Sequence, residues 1–157
     1  MKKIYLILLV LFSFNCEDDI TDNTPAFQAL VNGNNQWIAE NYTATIQNNQ
    51  LLISGTNQSG IISIVLDSFQ VDQYNLYSWT DNFAVFQDTL QYSTQNDGIG
   101  SIAQLSDGSV RIQEIDNFSN TISGNFYFDA YNSTGEYTVN ISEGIFYKIS
   151  LNSEDQD

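Results

Sequence analysis

Three observations predict an all-β fold, a single antiparallel β-sandwich or partly open β-barrel. From Ala26 onward the apolar residues recur with period two, so successive side chains sort onto opposite faces of an extended backbone. Turn-forming Asn, Asp and Gly interrupt these runs at roughly ten-residue intervals. No apolar stripe at the 3.6-residue helical period lasts for the length of a helix, while Ile, Val, Thr, Phe and Tyr, which suit a pleated surface, are abundant. Pattern alone leaves sandwich and barrel both open.

The strands follow in order. Phe27, Ala29 and Val31 alternate with Gln28 and Leu30, and Asn32-Gly33-Asn34-Asn35 turns the chain into Trp37-Ile38-Ala39. Tyr42, Ala44 and Ile46 alternate with threonines, and Asn48-Asn49 closes a hairpin to Leu51–Ser54. Ile61 to Leu66 is apolar on both parities, which predicts burial on both faces or a central position. Tyr74–Tyr77 and Phe83–Phe86 are shorter candidates. Asp107-Gly108 then leads to Val110, Ile112 and Glu114 on one face, with Arg111, Gln113 and Ile115 on the other. After a turn at Asp116 to Asn120, Ile122, Gly124, Phe126, Phe128 and Ala130 share a face. Ser133-Thr134-Gly135 turns into Tyr137, Val139 and Ile141, and Glu143-Gly144 reads as a turn into Ile145, Tyr147, Ile149 and Leu151.

Ahead of the domain, Met1-Lys2-Lys3 and the eleven-residue run Ile4 to Phe14 have the order of a secretory signal peptide, too short to span a bilayer. Cys16, the one cysteine, ends that run, as in a bacterial lipoprotein that is cleaved before the cysteine and diacylated on its thiol. Two or more acyl chains give stable anchoring where one does not. Ser13-Phe14-Asn15 departs from the usual cleavage box, which has Leu three before the cysteine and a small residue just before it. The expected organisation is therefore a lipoprotein signal peptide at 1–15, a short disordered acidic tether at 16–25, the β domain at 26–151 and a frayed tail at 152–157.

Charge and composition narrow the function. The chain carries nineteen acids, four basic residues and no His, for a net charge of −15, and two of the cations, Lys2 and Lys3, lie in the signal segment. Nucleic acid is excluded as a partner, because a phosphate backbone needs a basic face. Without His and with one Cys there is no Ser-His-Asp or Cys-His catalysis, no His-ligated zinc and no internal disulfide. No Asp-x-Asp-x-Asp-Gly calcium loop is present, though scattered oxygen ligands leave calcium open. Most carboxylates stand in turns, as in Asp97-Gly98, Asp107-Gly108, Asp116-Asn117 and Glu143-Gly144, where turn chemistry accounts for them. Glu114 is the exception by parity, and a place at the strand-end rim suits it best.

The aromatic residues supply the candidate ligand site. Tyr74, Tyr77 and Trp79 fall in a polar stretch with Asn75, Asp81 and Asn82, which offers flat rings flanked by hydrogen-bonding groups. Trp37 lies apart from them, in the first hairpin.

Phe27-Gln28-Ala29-Leu30-Val31-Asn32-Gly33 followed by Trp37-Ile38-Ala39 resembles the opening of a family of small Bacteroidota envelope lipoproteins catalogued as a domain of unknown function. Gly108–Ile112, Ile122–Phe126 and Gly144-Ile145-Phe146 are similar to its closing segment, with Asn125 where the family usually has Thr. The resemblance implies lipidation, secretion and an all-β body, with a core or sheet-covering role for Trp37, and no activity. In lipoproteins of this type an acidic cluster behind the lipidated cysteine resembles the signal for the outer face of the outer membrane, and Glu17-Asp18-Asp19 occupies that place. The expectation is a non-catalytic, lipid-anchored cell-surface protein that needs no cofactor. It touches the membrane through Cys16 and binds a glycan or an envelope protein. The alternatives are a structural or accessory subunit of an envelope assembly and, less favoured, a glycosidase working with two carboxylates.

Overall fold

The computed structural model describes residues 26–100 and 104–153. The expected signal peptide and acidic tether, with Cys16, and the last four residues lie outside the described residues. Every regular element described is a strand: β1 (Phe27–Val31), β2 (Asn35–Ile38), β3 (Asn41–Gln47), β4 (Gln50–Asn57), β5 (Gly60–Leu66), β6 (Gln73–Asn75), β7 (Phe83–Gln87), β8 (Gln91–Ser93), β9 (Asp107–Asp116), β10 (Thr121–Asn132) and β11 (Thr138–Ser153). They form one sheet in the order β2-β1-β11-β3-β4-β5-β7-β8-β10-β9-β6, and β10 also pairs with β11.

That last pairing closes β11, β3, β4, β5, β7, β8 and β10 into a ring of strands. The hairpin β1–β2 branches from β11, and β9 with β6 branches from β10. A seven-membered ring cannot close with antiparallel pairs alone, because an odd number of strands brings two of the same direction side by side. The parallel step falls between β11 and β3, from Leu151 opposite Ala44 to Ser153 opposite Ile46, and it is the one parallel pairing in an otherwise antiparallel sheet of the described residues.

Alternation accounts for the core. Phe27, Ala29, Leu51, Ile53, Ile62, Ile64, Leu66, Val110, Ile112 and the whole predicted face of β10 are buried. Phe27 packs edge-on against both Trp37 and Phe126, with centroids 5.4 and 5.5 Å apart. β5 is central, between β4 and β7, but only one of its faces is buried, since Ile61 is exposed and Val65 half-buried. Its two-sided apolar pattern overstated the burial. The short β8 carries too little apolar pattern to have been predicted.

Bulges explain the other departures. Glu143-Gly144 is not a turn: β11 runs unbroken for sixteen residues, with Glu143 at φ 51° and Lys148 at φ 48°. Near each of these left-handed residues β11 spends one more residue than β10, as between Phe126/Phe128 and Ile122/Gly124. Each extra residue flips the alternation. Gly144 and Phe146 therefore face the core in place of the expected Ile145 and Tyr147, and Ile149 and Leu151 still point inward. A third bulge, on β9 opposite Ser123/Gly124, turns Ile115 toward the core and leaves Glu114 exposed near the strand end. The polar groups follow the same economy: among the described residues no buried side-chain nitrogen or oxygen lacks a hydrogen-bond partner.

Candidate functional site

The six residues singled out from the sequence do not form one exposed platform. Tyr74 is the clearest departure. Its ring is buried, and its hydroxyl donates to the carbonyl of Gln70 (3.0 Å) and accepts from the Gln70 N–H (2.9 Å). A phenol so occupied pins the backbone a few residues upstream, in the manner of a tyrosine corner, and offers nothing to a ligand. The strand pattern of β6, with Tyr74 between exposed Gln73 and Asn75, carried this information.

Tyr77 and Trp79 do come together. Their rings stack with centroids 4.8 Å apart at 21°, and Trp79 is 65% exposed. The loop that presents them is organised by Thr80, whose hydroxyl accepts from the Tyr77 N–H (3.1 Å) and lies 2.9 Å from the carbonyls of Tyr77 and Asn82. Asn82 in turn accepts the Asp67 N–H through its side-chain oxygen (2.8 Å), so it holds the loop rather than reaching outward. Asn75 and Asp81 are exposed. Ser78 donates to Asp97 (2.8 Å), which also accepts the Ser106 N–H (3.0 Å). Asp97 is thus a tie between loops, one of the turn carboxylates in a structural role.

A cleft of about 590 Å³ lies elsewhere, where the β1–β2, β4–β5 and β7–β8 turns meet the start of β11. Asn34, Asn35, Gln36, Ser59, Asp88 and Tyr92 line its rim and walls. Trp37, Phe86 and Val139, all buried, form its floor. Phe86 and Tyr92 stack at 6.3 Å and 29°, and the Trp37 indole N–H donates to the Gly60 carbonyl (3.3 Å). Sequence reading missed this site because its residues are contributed by turns far apart in the chain, and each turn taken alone has an ordinary structural explanation.

Electrostatics inside the cleft are simple. Asp88 is the one charged residue of the lining, and its carboxylate also accepts the Leu90 N–H (2.8 Å). Burial, and after it the charge of Asp88 and the neighbouring Tyr137, push the Tyr92 phenol above its ordinary value. Tyr92 is therefore a neutral hydrogen-bond donor throughout the physiological range. Because its folded pKa is raised, whatever stability it contributes is complete below about pH 10 and is lost as pH rises through the raised value.

Outside the cleft, Asp116 is the carboxylate held below its usual range. The Ser119 hydroxyl is the main cause, followed by the N–H groups of Phe118 and Ser119. Its effect is present above the ordinary carboxylate pKa and fades as pH falls through the lowered one. This is an Asx turn capping the β9–β10 hairpin. Among the described residues no three of His, Cys, Asp and Glu cluster in a way that could hold a metal ion.

The model of a family described as a domain of unknown function (DUF6252) matches residues 23–150, nearly the whole described domain. The chain belongs to the DUF6252 family. No protein of curated function and no solved structure matches it. The family's matched span begins just before β1 and ends within β11, so the hairpin branch and the cleft fall inside the DUF6252 domain, while the β11–β3 pairing that closes the ring, Leu151 to Ser153 against Ala44 to Ile46, lies just past its end.

Proposed function

We propose that this DUF6252 protein is a lipid-anchored envelope lipoprotein of the Bacteroidota type, fixed to the outer membrane through Cys16 and exposed at the cell surface, and that it is a non-catalytic binding module. One observation carries the binding reading: the aromatic-floored cleft opens at the far end of β1 from the point where the tether joins. Ala26 sits beside Tyr147, accepting its N–H (2.7 Å), and β1 runs from there into the turn that borders the cleft. Five residues of strand separate the two by about 17 Å at 3.3 Å per residue. Cys16 precedes Ala26 by ten positions, a tether that reaches at most about 35 Å when extended. Anchoring by Cys16 then leaves the cleft accessible from the medium.

A glycosidase needs two carboxylates facing each other across one cleft, and here Asp88 stands alone. The accessory-subunit reading is favoured by one feature, the fully exposed Phe118 at the tip of the β9–β10 hairpin, a ring with no packing partner of its own.

The anchor is tested by metabolic labelling with a palmitate analogue. Wild type is expected to be labelled and to sediment with membranes, and Cys16→Ala to lose both properties. Equal labelling of the two proteins would remove the lipoprotein reading. Protease added to intact cells is expected to digest the domain. Replacing Glu17, Asp18 and Asp19 together by Ala should protect it, and unchanged sensitivity would make the triplet a mere spacer.

A further inference from the structure

We propose that the cleft between the β1–β2 hairpin and the β4–β5 and β7–β8 turns is a binding site for a neutral saccharide, its ring set against Tyr92 and its hydroxyls bonded by the surrounding amides. The inference rests on the binding-module reading and names the ligand class of that site. Four observations select this class.

The first is the unused hydrogen-bonding capacity. The side chains of Asn34, Asn35, Gln36 and Tyr92 hydrogen-bond to no other described residue, yet they gather around one concavity. Carboxamides both donate and accept, which is the complement of a hydroxyl that does the same. The second is the wall, where Tyr92 stacks on Phe86 of the floor and remains half-exposed, so it presents an apolar face of the kind that the C–H side of a sugar ring covers. The third is charge. The lining holds no Lys or Arg, which rejects phosphate, sulfate and carboxylate groups, and a single acid, which falls short of a site for a multivalent cation. The fourth is the state of the neighbouring sheet edge. β2 is an edge strand, the kind of surface a peptide strand extends, but the Asn57 amide already donates to the Ile38 carbonyl (2.9 Å), and the Glu40 N–H donates to the Thr56 carbonyl (2.8 Å). Those bonds lash the end of the hairpin to β4 and occupy the Ile38 carbonyl, one of the groups a peptide strand would pair with. The volume, about 590 Å³, lies within the range of small-ligand sites.

The test is isothermal titration of the full-length protein in detergent micelles. The probes are neutral tetrasaccharides (β-glucan, α-glucan, xylan and mannan), a sialylated oligosaccharide and an uncharged tetrapeptide. At least one neutral tetrasaccharide is expected to bind saturably. Tyr92→Phe, which removes only the hydroxyl, should weaken it about tenfold, the scale of one lost hydrogen bond. Ser59→Trp, which places a bulky ring at the exposed rim, should abolish it while the thermal melt stays that of wild type. Binding of the peptide or the sialylated probe alone, blocked by Ser59→Trp, overturns the ligand class and leaves the binding-module reading standing. Neutral-sugar binding that survives Ser59→Trp puts the sugar at another surface and overturns the cleft as its site. A panel in which no probe binds overturns the saccharide proposal.

Discussion

Trp37→Ala is expected to destabilise the domain by about 3–5 kcal/mol, the range for truncating a large buried aromatic. The indole is 1% exposed, meets the Phe27 ring edge-on at 5.4 Å and donates its N–H to Gly60, so removal opens a cavity, breaks an aromatic pair and orphans a carbonyl contact. The surroundings cannot collapse into the space. Gly55 of β4 is already pressed against Trp37 and Phe27, to the point that a Cβ there would lie 2.9 Å from the indole and 2.6 Å from the phenyl ring. A loss of this size is a large share of a typical stability of 5–15 kcal/mol. Trp79→Ala, by contrast, is expected to cost less than about 1 kcal/mol, since the ring is 65% exposed and loses only its stack on Tyr77. Urea denaturation of the two variants separates the roles. A Trp79→Ala midpoint as low as that of Trp37→Ala would place Trp79 in the core and end its candidacy as a ligand surface.

The two tryptophans show how far residue type and neighbours carry a sequence. Trp37 opens the apolar run Trp37-Ile38-Ala39 after a turn, and the family resemblance rather than local alternation implies its inward face; Trp79 stands among polar residues and is exposed. Tyr74 misled because the loop behind it looked polar, although Tyr74 is flanked by Gln73 and Asn75, the period-two signature of a half-buried strand. The face of β10 from Ile122 to Ala130 was legible in full, because neither end of that strand carries an extra residue of its own. β11 was not. Its two left-handed residues, Glu143 and Lys148, are neither Gly nor Asn, so no local signal marks the bulges, and a parity count carried past them assigns Ile145 and Tyr147 to the wrong side. Ring closure was out of reach for a different reason. Whether β11 finds β3 as well as β10 depends on the shear accumulated across seven strands, and no short window of sequence contains that sum. The cleft shares this character, since it exists only once three turns have been brought to one end.

Gly124→Ala is expected to cost about 3 kcal/mol, at the upper end of overpacking penalties, although Ala fits a β-strand better than Gly does. Gly124 is the fourth of the twelve residues of β10, opposite Ile112 of β9 on one side and Phe146 of β11 on the other. A Cβ built there would fall on the Arg111 carbonyl oxygen and on the Phe146 ring. The carbonyl belongs to the bulged stretch of β9 and is held by its ladder, so it cannot swing away as a side-chain tip would. Phe146 is fully buried and stacks on Phe126, which is itself edge-on to Phe27, so displacing its ring propagates into the aromatic core. Gly33 is the control. Its φ of +79° disfavours any side chain, but nothing lies within 4 Å of a Cβ there, so Gly33→Ala should cost only the left-handed backbone penalty of about 1–2 kcal/mol. The cause is isolated by the double variant Gly124→Ala with Phe146→Leu. If ring crowding is part of the cost, the pair of substitutions should be less destabilising than the two single effects added together, with a coupling of about 1 kcal/mol, and the residue left over measures the clash with the Arg111 carbonyl. Strict additivity would show that Phe146 yields freely and that the backbone contact alone keeps a side chain out of position 124.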